Sequence, residues 1–127
     1  MEIRSYKLCD EKNLFDMMRE EGAEWEDYWG EDGAPKYKVA LSNCVVFVAY
    51  EGYELCGFVR CRDDYGFGVY INDLLVKEQK RGKNTGRMLM DKVCAHFPGE
   101  TVYVMSDVDG YYERQGYRRE GTIFQLK

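Results

Sequence analysis

No stretch of the sequence approaches the roughly 18 consecutive apolar residues that a membrane helix requires. Its first residues, MEIRSYKL, carry charge where an export signal has an apolar centre. A cytoplasmic protein that neither spans nor binds membranes is therefore expected. Histidine occurs once, proline twice, and the five cysteines include no Cys-x-x-Cys pair. Five is an odd count, and Cys56 and Cys61 in an extended strand would point to opposite faces. Neither a disulfide framework nor a metal site is expected, and the thiols read as reduced core residues. The formal net charge of −5 lacks the basic excess that marks general nucleic-acid binding. Low-complexity tracts and internal repeats are missing, as are GxxxxGK[ST] and the dinucleotide fingerprint, so nucleotide folds built on those loops are excluded.

What is present suits one domain over residues 1–127, long enough to bury roughly two-thirds of its unfolded surface. The charges are unevenly spread. From Glu20 to Asp32 the acids are Glu20, Glu21, Glu24, Glu26, Asp27, Glu31 and Asp32, with no lysine or arginine between them. From Lys77 to Lys92 the bases are Lys77, Lys80, Arg81, Lys83, Arg87 and Lys92, against Glu78 and Asp91. Two surfaces of opposite sign are suggested, one suited to a cation and the other to an anion, although most such runs taken alone are solvated faces.

Hydrophobic periodicity orders the chain. Residues 2–8 alternate as a strand, and Asp10 precedes a helix over 11–21 whose Leu14, Met17 and Met18 recur at helical spacing. AEWEDYWGEDGA reads as a loop or frayed helix, and PKYKVALS as a short helix with Pro35 in its first turn. CVVFVAY, the turn at Glu51 and Gly52, and YELCGFVRCR form a hairpin, which VYINDLLV extends to a third strand. A helix begins at Gly86, TVYVM is a buried strand, DGYYERQ is a short helix, and YRREGTIFQL closes the chain as a hairpin. The order β-α-(α)-β-β-β-α-β-α-β-β describes an α+β sheet with helices on its faces.

RGKNTGRMLM, residues 81–90, lies where the third meander strand gives way to a helix. A helix N-terminus presents unpaired N–H groups and partial positive charge, and glycines let a backbone approach an anion closely. Gly82, Lys83, Asn84, Thr85 and Gly86 supply those donors, and Arg81, Lys83 and Arg87 add charge. On this feature alone, a plain Gly-rich turn before a helix reads equally well.

The run INDLLVKEQKRGKNTGRMLM, followed after one more strand by GYYERQGY, resembles the GNAT superfamily of acetyl-CoA-dependent N-acetyltransferases, whose hallmark is Arg/Gln-x-x-Gly-x-Gly/Ala after the fourth strand. The resemblance covers nearly the whole chain. It implies a mixed, mostly antiparallel central sheet flanked by helices, acetyl-CoA as cosubstrate, no metal, and transfer of an acetyl group to a primary amine of a small molecule or peptide. Within it Arg81 holds the Arg/Gln position, Gly82 to Arg87 form the pyrophosphate loop, and Leu74, Leu75 and Val76 offer backbone groups to the pantetheine arm. Asn84 stands where the family has its first motif glycine. Asparagine fits if that glycine serves to permit positive φ, and obstructs if it serves to clear space for phosphate.

The second motif places Tyr112 on the family's tyrosine, the expected general acid for the departing thiolate. The attacking amine must lose a proton, and Asp73 on the central strand reads either as its base or as a structural carboxylate. An N–H near Leu75, freed by the strand's bulge, is the expected oxyanion donor. In the family the acceptor enters over the first helices. That puts Trp25, Tyr28 and Trp29 with their acidic neighbours at its mouth, either binding a cationic amine or covering the sheet or a dimer contact. His96 reads as a helix-end residue. A monomer or homodimer is expected, and the alternative to an enzyme is an acyl-CoA-binding sensor or partner subunit of the same fold.

Overall fold

The computed structural model describes all 127 residues. Its strands are β1 (Glu2–Ser5), β2 (Val45–Glu51), β3 (Glu54–Asp63), β4 (Val69–Val76) and β5 (Val102–Val104). Its helices are α1 (Glu11–Glu21), the single turn α2 (Glu26–Trp29), α3 (Gly33–Asn43), α4 (Thr85–His96) and α5 (Asp109–Arg114). The sheet order is β1-β2-β3-β4-β5, antiparallel except for the parallel pair β4–β5. This is the mixed, mostly antiparallel α+β sheet that the sequence leads one to expect.

Alternation along the strands divides the core in two. Val46, Val48, Phe58 and Leu75 face Leu14, Met17 and Met18 of α1 and Tyr37 and Leu41 of α3. Phe47, Ala49, Val59, Val69 and Ile71 face Leu89, Met90 and Val93 of α4. Each helix buries the apolar stripe that its spacing describes, and burial of these side chains is what holds the layers together.

One irregularity positions the site. Arg60 lies opposite Asp73, yet the next residue, Cys61, lies opposite Ile71, so Asn72 is a surplus residue in β4. In an unbroken strand Asp73 would share the face of Ile71. The bulge instead turns Asp73 toward Arg60, while Ile71 and Leu74 both pack on the α4 side.

The closing hairpin expected over YRREGTIFQL does not form. No strand follows β5, and Ile123, Phe124 and Leu126 stand 65%, 78% and 92% exposed. An isolated two-stranded ribbon is marginal in water, and β5, with three residues, offers too short a ladder to support one. Arg118 pairs instead with Glu120 two residues on, and Arg119 with Asp109.

Candidate functional site

The strands β4 and β5 pair only from Val69 to Ile71, and the hydrogen bond from Met105 N to Ile71 O, at 3.4 Å, is the last between them. Beyond it they diverge. The edge of β4 from Asn72 to Val76 then lines a cleft of about 900 Å³. The start of α4 forms one wall, Tyr111, Tyr112 and Asp107 another, and Trp25 and Tyr28 border it from the α1–α3 side.

The α4 wall is a row of unpaired donors. The bond from Met88 N to Asn84 O, 2.9 Å, opens the helix, so the N–H groups of Thr85, Gly86 and Arg87 have no intrahelical acceptor. Asn84, the residue just before the helix, has φ 63° and ψ 15°, the left-handed conformation that asparagine tolerates better than other side chains. Its side chain makes no capping bond, which leaves those donors free. Thr85 is buried, and its Oγ1 is the one fully buried side-chain polar atom without a hydrogen-bond partner. The first turn of α4 thus carries hydrogen-bonding capacity that the protein itself leaves unspent.

The basic side chains are largely engaged elsewhere. Arg81 lines the cleft but donates Nε to the Val76 carbonyl at 3.0 Å and pairs with Glu21. Arg87 turns away, donating to the Gln115 carbonyl at 3.0 Å with its guanidinium 4.9 Å from the ring centre of Tyr117. Neither Arg87 nor Lys83 is among the residues lining the cleft. The two charge runs do not form separate surfaces either. Lys77 bridges Glu20 and Glu54, Lys80 bridges Glu51 and Glu54, and Arg81 reaches Glu21.

At the opposite end lies a carboxylate that is half used. Arg60 Nε contacts Asp73 Oδ2 at 2.5 Å, and the Tyr37 hydroxyl donates to the same oxygen at 2.7 Å. Burial, followed by the Asp73 charge, pushes the Tyr37 phenol well above its ordinary range. Asp73 Oδ1 has no protein partner, yet it is not among the fully buried orphans, so it keeps contact with the cleft that Asp73 lines. Tyr28 packs on Tyr37 at 4.9 Å between ring centres and on Trp25 at 5.5 Å, and burial raises its pKa as well.

Tyr112 lines the same cleft, with its ring edge-on to Tyr111 at 5.1 Å. Burial pushes its phenol up to about 12, and no hydrogen bond to the protein holds its hydroxyl. The cleft thus joins Asp73, Leu74, Leu75, Val76, Arg81, Gly82, Asn84, Thr85, Gly86 and Tyr112 with Trp25 and Tyr28.

Trp29 is elsewhere, its Nε1 donating to the Gly22 carbonyl at 3.1 Å while its ring packs on the core. The bulge falls at Asn72 and not near Leu75, which keeps its partner Phe58 in β3. His96 lies edge-on to Phe47 and Phe97, at 5.3 and 4.9 Å. Sequence reasoning missed Arg60, Tyr37, Tyr111 and Asp107. Of these Arg60 carried a signal, a lone arginine inside the apolar run LCGFVRC, and Tyr111 stood within the quoted GYYERQGY. No helix is long and apolar enough to cross a membrane.

With this geometry in view, a family model described as acetyltransferase (GNAT) domain matches residues 42–119. Among solved structures, a GNAT family acetyltransferase from Streptococcus pneumoniae superposes with TM-score 0.75 at 20% identity, covering 99% of this chain and 98% of that one. A ribosomal-protein-alanine N-acetyltransferase from Brucella melitensis biovar Abortus superposes with TM-score 0.75 at 16% identity, covering 100% and 99%. An aminoglycoside 6′-N-acetyltransferase complexed with coenzyme A superposes with TM-score 0.64 at 21% identity, covering 76% and 54%. At these identities the likenesses concern the fold. No curated protein matches the sequence significantly.

Proposed function

This chain belongs to the GNAT acetyltransferase family, and from that premise we propose that it transfers an acetyl group from acetyl-CoA to a primary amine by direct attack in the cleft between β4 and β5. One observation carries the reading: open N–H groups, the unpaired β4 edge and Tyr112 all line the same cavity, with the orphaned Thr85 hydroxyl buried behind the first turn of α4. The N–H groups of Gly82 to Gly86 hold the diphosphate, assisted by Arg81. Leu74 pairs with a pantetheine amide as a neighbouring strand would, whereas Leu75 is turned to its partner Phe58 in β3 and the Val76 carbonyl already serves Arg81. Acetyl-CoA supplies the activated acyl group.

Tyr112, a phenol whose pKa burial raises further, carries its proton in the neutral range and has a hydrogen to give the departing thiolate. The acceptor enters along the border of the cleft that Trp25 and Tyr28 form together, where aromatic rings favour a cation. Asp73 Oδ1 receives its N–H while Oδ2 stays fixed by Arg60 and Tyr37. The proton lost before attack passes from this carboxylate to water in the cleft.

Tyr112→Phe is the decisive variant. Coenzyme A binding, read as a thermal shift, persists, while turnover of any amine that releases free thiol falls about 100-fold. A wild-type protein that binds coenzyme A and leaves a panel of polyamines, aminoglycosides, arylalkylamines and N-terminal peptides untouched is a sensor of the same fold. A protein without any coenzyme A shift refutes the cofactor reading itself.

A further inference from the structure

The glycine at 86 is unexplained by backbone geometry, because it lies in regular helix and its φ is not positive. Its reason is steric. A Cβ there would stand 2.6 Å from the Tyr111 hydroxyl oxygen, too close for any real contact, but 3.7 Å from the adjoining ring carbon, an ordinary one. Where the family's hallmark admits glycine or alanine, the oxygen of Tyr111 is the one neighbour that an alanine methyl here would have to displace. That oxygen rests on the first turn of α4, and Tyr111 lines the same cleft. It makes no hydrogen bond with the protein and, as a phenol whose pKa burial raises further, it carries a proton to donate. Its placement is fixed from behind, because Arg87 clamps the end of α5 to α4 through the Gln115 carbonyl.

We infer that the Tyr111 hydroxyl is a ligand of the coenzyme A diphosphate, delivered onto the α4 cradle from α5, and that Gly86 is glycine to admit it. This rests on the cofactor reading above and assigns one of its ligands. A phenol donating to an anionic oxygen makes a charge-assisted bond. It adds a donor where the side chain of Arg87 adds none. Tyr111 and Tyr112 thereby divide the labour: the first holds the cosubstrate, and the second serves the reacting end.

Calorimetric binding of coenzyme A and of 3′-dephospho-coenzyme A to four proteins tests this: wild type, Tyr111→Phe, Gly86→Ala and the double variant. Tyr111→Phe weakens both ligands about tenfold, the order of one hydrogen bond to a charged oxygen. Gly86→Ala weakens binding at least as much in the wild type but adds little in the Tyr111→Phe background, where the close contact is gone. Melting temperatures without ligand follow the same pattern, with the Gly86→Ala loss reduced by Tyr111→Phe. Equal coenzyme A affinities for wild type and Tyr111→Phe overturn the assignment. So does a Gly86→Ala penalty unchanged by the second substitution, or a Tyr111→Phe penalty confined to the ligand carrying the 3′-phosphate. A wild type that binds neither ligand overturns the cofactor reading first and this assignment with it.

Discussion

Two buried trios on the same face of the sheet have one composition and different fates. Asp10, Arg4 and Tyr50 form the first. Asp10 accepts hydrogen bonds of 2.8 Å from both terminal nitrogens of Arg4, the Lys7 amide and the Tyr50 hydroxyl, spread over both carboxylate oxygens. Asp73, Arg60 and Tyr37 form the second, where both bonds converge on Oδ2 and Oδ1 is left over. A saturated carboxylate is a staple, tying β1 to the entrance of α1 and to β2. A carboxylate with one oxygen to spare, bordered by Trp25 and Tyr28, can still recognise something. Burial and an arginine partner are common to both trios. The distinguishing quantity is unspent hydrogen-bonding capacity.

The largest test of this contrast is Asp10→Ala. It strands Arg4, the Lys7 amide and Tyr50 together, and should cost about 3 kcal/mol of unfolding free energy by denaturant titration, with Michaelis constants unmoved in the molecules that remain folded. Next comes acid. Chiefly through the Arg4 hydrogen bonds, Asp10 is held down to about 2, below its ordinary 3.8. A depressed pKa stabilises the fold above the unfolded value and loses that effect as pH falls through the folded one. The wild type should therefore lose about 2 kcal/mol between roughly pH 4 and pH 2 that Asp10→Asn does not lose, as read by stability measured against pH. Smallest is Asp73→Asn, expected to lower kcat/KM for the amine about tenfold while coenzyme A affinity holds. If the variant keeps the wild-type amine kinetics and only unfolds more readily, the second trio is a staple like the first.

Much of the architecture was legible because it rests on local rules. Leu14, Met17 and Met18 at helical spacing mark α1, β-branched runs mark β2 to β4, and the composition around residue 84 marks a helix start. The left-handed Asn84 was readable for the same reason, since few residues tolerate that backbone. What escaped depends on partners distant in sequence. Arg60 meets Asp73 across 13 residues and Tyr37 meets it across 36. The motif places Arg81 and Arg87 around an anion, but their ends find Glu21 and Gln115, 60 and 28 residues away. Trp29, adjacent to Tyr28, turns to the Gly22 carbonyl, because successive helical positions point about 100° apart. The final segment showed alternation but lacked a long enough neighbour on which to lay it.

The surplus residue at Asn72 also gives β4 two parities. Upstream, the odd-numbered Val69 and Ile71 turn to α4; downstream, the even-numbered Leu74 and Val76 do. The strand is thus two half-strands in opposite phase, joined at the mouth of the cleft. A segment grafted across that junction from a regular strand would carry its polar chemistry to the oily side, however well its composition matched.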